Sequence, residues 1–152
     1  MATATPSQLR LVFDVLRAIL APHAKALLVT ADDGANYRLC SRTLEDRIGR
    51  PLFVAAVETN KNYVSYHLMP IYADPRLQQA LSPALKKRMQ GKLCFNFRTL
   101  DEAQAARQEL AQLTRAGIDA FRNVQLPWQL RPSLSAGRRG TAARRRAAPA
   151  RR

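Results

Sequence analysis

The residues of this chain with types suited to chemistry are few: two histidines, two cysteines and several basic clusters. His67 stands out among them. An imidazole changes charge near neutral pH, so it can serve as acid, base or partner of an anion. It lies in a stretch where Val64, Tyr66 and Leu68 alternate with Ser65 and His67. That period of two puts His67 on the opposite face of a strand from Tyr66. If that face is open, His67 can line a pocket. His23 follows Pro22 between two predicted elements and reads as an exposed loop residue. Cys40 and Cys94 are far apart and read as two buried thiols of a reducing compartment. Zinc needs three or four converging ligands, usually signalled by close spacing. Neither Cys-x-x-Cys nor His-x-x-x-His occurs, so no metal and no cofactor is expected. No serine sits in a nucleophile elbow, and no glycine-rich phosphate loop is present.

Positive charge is the other chemical resource. Lys86-Lys87-Arg88, with Lys92 close behind, precedes Phe95, Asn96 and Phe97. Bases beside aromatics suit nucleic acid or an anionic ligand. The competing reading is a solvated helix face with both phenylalanines in the core. No RNA-recognition signature surrounds the aromatics. The formal charge is +14, and eight arginines fall between Arg131 and Arg152 with no acid among them. Removing those eight leaves +6 for residues 1–130. Arg138, Arg139, Arg144, Arg145, Arg146, Arg151 and Arg152 form a flexible arm able to neutralise phosphates without reading sequence. Coding bias in an Arg-, Ala- and Pro-rich genome accounts for such a tail equally well.

The elements that must position these residues are legible in the spacing. Leu9, Val12, Phe13, Leu16, Ile19 and Leu20 share one helical face, with Ser7 as the candidate cap and Pro22 as the stop. Ala26–Ala31 and Tyr37–Ser41 read as strands around the turn Asp32-Asp33-Gly34. Arg42–Arg50 is polar and gives no clear pattern. Leu52–Glu58 and Tyr63–Met69 form a hairpin that Pro70 ends. Asp74-Pro75 and Ser82-Pro83 each open a short helix, the second reaching about Met89, and Gly91 ends it. Leu93–Phe97 reads as a strand. Thr99 and Glu102 make a capping box for a helix whose stripe runs through Ala103, Ala106, Leu110, Leu113, Gly117 and Phe121. Arg115 and Arg122 suit its negative end.

No βαβ rhythm recurs, so the expected class is α+β: a mostly antiparallel sheet of about five strands with helices packed on one face. One domain is expected over residues 1–130, followed by a disordered basic tail over 131–152, where apolar periodicity is lost. Leu126-Pro127-Trp128 is expected to dock on its own domain. The chain is 47% hydrophobic and 24% charged, which is ordinary globular usage. Its longest apolar run, Leu52–Val57, is far short of the ~20 residues that span a bilayer, so no membrane is expected. The first residues lack a basic segment leading into an apolar one, and the cytoplasm is the default compartment.

Two segments also carry a resemblance. Lys61-Asn62-Tyr63-Val64-Ser65-Tyr66-His67-Leu68-Met69-Pro70, with Tyr72, resembles the central segment of the YdhG-like family, a bacterial domain of unknown function. Leu85-Lys86-Lys87-Arg88-Met89-Gln90-Gly91-Lys92, then Cys94-Phe95-Asn96-Phe97, is similar to that family's second segment. The likeness runs from about Pro51 to Arg122 and leaves out the tail. It implies a compact α+β domain and supplies no catalytic residues. Some relatives are described as frataxin-like iron chaperones. Iron favours clustered oxygen ligands here, whereas the eleven acids of this chain are spread thinly and its net charge repels cations.

The expected function is a non-enzymatic binding module for an anionic small ligand or partner. Asn60, Lys61, His67, Lys92 and Asn96 are the candidate ligand-binding residues. Nucleic-acid association through the tail is the second reading, an iron chaperone the third, and an enzyme using His67 the fourth.

Overall fold

Thr5, two residues before the expected cap, starts the first helix, α1 (Pro6–Leu20). Its hydroxyl accepts from the Gln8 backbone N–H while the Gln8 side chain accepts from the Thr5 N–H. The box therefore uses Gln8, and Ser7 only hydrogen-bonds the Thr5 hydroxyl. The computed structural model describes residues 4–121. The expectations for Arg122, for Leu126-Pro127-Trp128 and for the arginines of 131–152 lie outside the described residues.

Pro22 does not stop the chain from turning further; a 3₁₀ turn covers Ala21–Lys25. Four strands follow: β1 (Leu28–Asp32), β2 (Asn36–Glu45), β3 (Pro51–Thr59) and β4 (Val64–Leu68). At the β1–β2 turn the Asp33 carboxylate accepts from the N–H groups of Ala35 and Asn36, and Gly34 supplies φ +86°. The patternless stretch after Ser41 resolves into the end of β2 and a turn built on Asp46. Its carboxylate accepts from the Ile48 and Arg50 N–H groups and from Arg50 Nε.

Between β4 and the next strand come three short helices: α2 (Met69–Ala73), α3 (Pro75–Gln79) and α4 (Pro83–Arg88). Asp74 and Ser82 cap the last two as expected. The α2 helix is additional, because Pro70 ends β4 by sitting in the first turn of a helix, where its missing N–H costs nothing. α4 stops at Arg88. Met89–Gln90 then forms a two-residue strand, β5, and Gly91 serves the turn into β6 (Cys94–Phe97). Thr99 and Glu102 cap α5 (Leu100–Phe121) reciprocally.

The six strands form one antiparallel sheet in the order β1-β2-β3-β4-β6-β5. The sheet has six strands where about five were expected, the extra one being β5. The fold is α+β, and the core lies between one sheet face and the helices. Leu9, Val12, Phe13 and Leu16 of α1 and Leu110, Leu113 and Phe121 of α5 meet Leu39, Val57, Tyr66, Phe95 and Phe97 of the sheet. The Tyr66 and Thr114 hydroxyls hydrogen-bond inside this core, and burial pushes the tyrosine pKa up. α5 approaches α2 closely at Gly117, where a Cβ would stand 3.0 Å from the Pro70 Cβ. Outside the core, Arg17 clamps α1 to the sheet. It donates to both Asp32 oxygens and lies 4.3 Å from the Tyr37 ring centre. Among the described residues, no helix is long and apolar enough to cross a membrane.

Candidate functional site

Strand register decides which side chains turn away from the helices. Ala55 pairs with Leu68 and Val57 with Tyr66, all facing the core. The intervening pairs, Ala56 with His67 and Glu58 with Ser65, must face the other way. Ser65 pairs in turn with Asn96 and His67 with Cys94, and Arg38 pairs with Ala56. α1 and α5 pack on the first face, and Met69 at the start of α2 reaches the second. The second face presents a polar row across the middle of the sheet.

The row is connected. Asn60 Nδ2 donates to Ser65 Oγ at 3.1 Å, and Ser65 Oγ donates to Asn96 Oδ1 at 2.7 Å. Asn96 Nδ2 donates to the Gln90 side chain. His67 Nε2 meets Glu58 Oε1 at 2.9 Å, and the Cys94 sulfur lies 4.0 Å from the same nitrogen. The His67 ring stands edge-on to Phe53 at 6.4 Å, and the Arg38 guanidinium lies 4.4 Å from the Phe53 ring centre.

A Cys-His pair invites a test as a nucleophile, and the geometry opposes it. An acid–histidine–nucleophile relay uses one ring nitrogen for the acid and the other for the nucleophile. Here Glu58 and Cys94 address one nitrogen. Burial pushes the Cys94 thiol up, the Glu58 charge pushes it further, and a hydrogen bond with Ser65 offsets only part of this. A thiol held protonated is a poor nucleophile. Among the described residues, no three His, Cys, Asp or Glu side chains are arranged to hold a metal ion.

Beside Phe53 the same face deepens into a cleft of about 620 Å³. The Asp46–Arg50 turn forms one wall. Arg38, Arg47 and Arg50 stand around it with Ile48, Phe53 and Met69. Ile48 is 72% exposed at its rim. Asp46 is the one acid lining the cleft among the described residues, and it is engaged by Arg50 at 3.0 Å.

The structure thus brings together three of the five expected ligand residues. Asn60 and Asn96 join through Ser65, and His67 joins Asn96 through Cys94, whose sulfur also reaches Asn96 Oδ1 at 3.6 Å. Lys61 is exposed at the hairpin tip and, among the described residues, makes no hydrogen bond to this network. Lys92 lies over the Tyr72 ring at 5.5 Å, in the β5–β6 turn. The basic cluster of α4 has no open aromatic beside it: Phe95 and Phe97 are fully buried and cannot stack on a base, while Arg88 pairs with Glu102 at 3.0 Å. Cys94 and His67, isolated in sequence, are cross-strand neighbours. His23 is half-buried in the 3₁₀ turn rather than exposed.

Sequence reasoning missed Glu58, Arg38 and Phe53. The signal for Glu58 was available: pairing the two hairpin arms across Asn60–Tyr63 sets Glu58 on the face of His67. Phe53 was hidden by an irregularity in the β2–β3 register that shifts it opposite Cys40. No family model, curated protein or solved structure matches the chain.

Proposed function

We propose that this chain is a non-enzymatic binding module of the YdhG-like type whose uncovered sheet face takes an anionic small ligand with an apolar body. The observation that carries the reading is the cleft beside Phe53. Its volume of about 620 Å³ falls within the range of small-molecule sites, and its lining is apolar with guanidinium groups around it. Arginine gives planar, multivalent donation to carboxylate or phosphate, while Ile48, Phe53 and Met69 offer an apolar bed. His67 stands edge-on to Phe53 next to the cleft, and Asn96 lies farther off along the strand network, outside its lining.

Phenyl phosphate is a suitable probe, with inorganic phosphate and benzyl alcohol as its two halves. Calorimetry on the full chain is expected to show phenyl phosphate binding more tightly than either half. Arg38→Gln is expected to weaken it about tenfold, the loss of one charge-assisted contact. Equal binding of phenyl phosphate by wild type and by Arg38→Gln overturns the reading. So does binding that leaves the amide signals of Phe53 and Ile48 unmoved.

A second reading rests on a separate observation, the eight arginines and absent acids of residues 131–152. Such an arm supports weak, salt-sensitive nucleic-acid association. A chain ending at Leu130 is expected to lose DNA and RNA retention at low salt. Unchanged retention removes this reading.

A further inference from the structure

On the helical side of the molecule, away from the open sheet face, α1, the 3₁₀ turn and α5 enclose a second cleft of about 580 Å³. Ile19, Pro22 and Ala111 give it an apolar lining. Arg107, Arg115 and His23 stand around it. We propose that this cleft is a binding site for a tetrahedral dianion, in particular a small phosphate monoester, held by Arg107, Arg115 and His23.

Helical spacing places the two arginines. Arg107, Ala111 and Arg115 follow at four-residue steps, so they share one stripe of α5. Eight residues rise roughly 12 Å along a helix, which two arginine side chains can close from either end. The residue between them is alanine, so the space over it is free. Neither arginine has a carboxylate partner among the described residues. Of the four acids of α5, Glu102 pairs with Arg88 and Glu109 accepts from the Ser82 N–H and hydroxyl, while Asp119 follows Arg115 by one helical turn and acts on His23.

His23 registers this imbalance. Burial and the Arg115 charge hold its pKa below the usual histidine value of 6.5, and Asp119 opposes them. Arg115 and Asp119 from α5 are the charged groups acting on it, with Arg107 across the cleft. An anion seated between the arginines offsets the Arg115 repulsion, which adds to burial in keeping the imidazole neutral. Binding therefore takes up a proton at His23, and affinity rises as pH falls. A compact dianion fits better than a nucleic-acid backbone, which asks for cations strung along a groove. Here two guanidinium groups and one imidazole line a single cleft.

The chain has two histidines, so NMR resolves the proposal on the full-length protein. The pH titration of both imidazoles is followed in sodium sulfate, in glycerol 2-phosphate and in sodium chloride at equal ionic strength. Sulfate remains a dianion throughout and isolates the protein's own titration. The His23 midpoint is expected to rise by roughly half a unit in sulfate and in the monoester relative to chloride. Arg115→Gln raises the His23 midpoint in chloride, because a repelling charge is gone, and removes the further rise in sulfate. Both arginines lie on the exposed side of α5, so Arg107→Gln and Arg115→Gln leave the core packing intact. Equal His23 midpoints in all three salts overturn the proposal. So does a sulfate effect that persists in the double variant, or a His23 response to a short single-stranded DNA but to neither small dianion. The site near Phe53 stands or falls separately.

Discussion

Along β4, Val64, Tyr66 and Leu68 turn toward α1 and α5 and are fully buried, while Ser65 and His67 turn away into a polar row. One five-residue strand thus feeds two surfaces with different physics. The helix-covered face is held by apolar area, which is non-directional and large in sum. The other face is held by hydrogen bonds whose partners compete with water, so each adds little to stability. The difference teaches where change is tolerated. Substitutions on the covered face are expected to act on folding, and those on the other face to cost little stability.

Truncating one side chain on each face gives the sharpest contrast. Phe95→Ala removes a fully buried ring and is expected to cost about 3–5 kcal/mol in urea unfolding. His67→Ala is expected to cost no more than about 1 kcal/mol, since its Glu58 partner is 41% exposed. A His67→Ala loss matching that of Phe95→Ala would break the comparison. Next in size is the buried hydroxyl pair. Tyr66→Phe leaves the Thr114 hydroxyl without its partner and is expected to cost about 1–3 kcal/mol. Adding Thr114→Val should recover part of that loss, a non-additivity that a double-mutant cycle reads directly. Asn96→Ala, which severs the Ser65 and Gln90 contacts, is expected to cost about 0.5–1.5 kcal/mol. The smallest effect is one of pH. His23 has a folded pKa below its unfolded value, so the unfolded chain binds more protons in that interval. Its contribution is fully present above 6.5 and is lost as pH falls from there toward the folded pKa. His23→Gln should flatten stability across that window and leave it unchanged above.

How much of this was written in the sequence depends on range. Period-two alternation placed His67 opposite Tyr66, and helical stripes placed Leu9 to Leu20 and Ala103 to Phe121 against the core. These are local facts of one element. Capping at Asp74, Ser82 and Thr99 was equally local. β5 was missed because two residues carry no period, and their strand character comes only from pairing with Cys94 and Phe95. The Cys94–His67 neighbourhood joins residues of different strands, which needs register that no single segment contains. The Phe53 cleft needs more still: a register shift, the Asp46 turn and the start of α2 must coincide. Lys61 and Lys92 were chosen for charge, and charge alone does not say where a long side chain rests. Lys92 rests on Tyr72.

The strand order also has a temporal side. The pairs β1–β2, β2–β3, β3–β4 and β5–β6 each join chain neighbours, so each closes a short loop at small entropic cost. Contact between α1 and α5 must instead wait until all the chain from Leu20 to Leu100 lies between them in order. The meander is therefore expected to assemble first and the two outer helices to zip together over it last. Substitutions in the β3–β4 hairpin should then slow refolding, whereas those where α1 meets α5 should mainly hasten unfolding. A chevron series across the two groups would read that sequence of events, and equal slowing of refolding by both would reverse it.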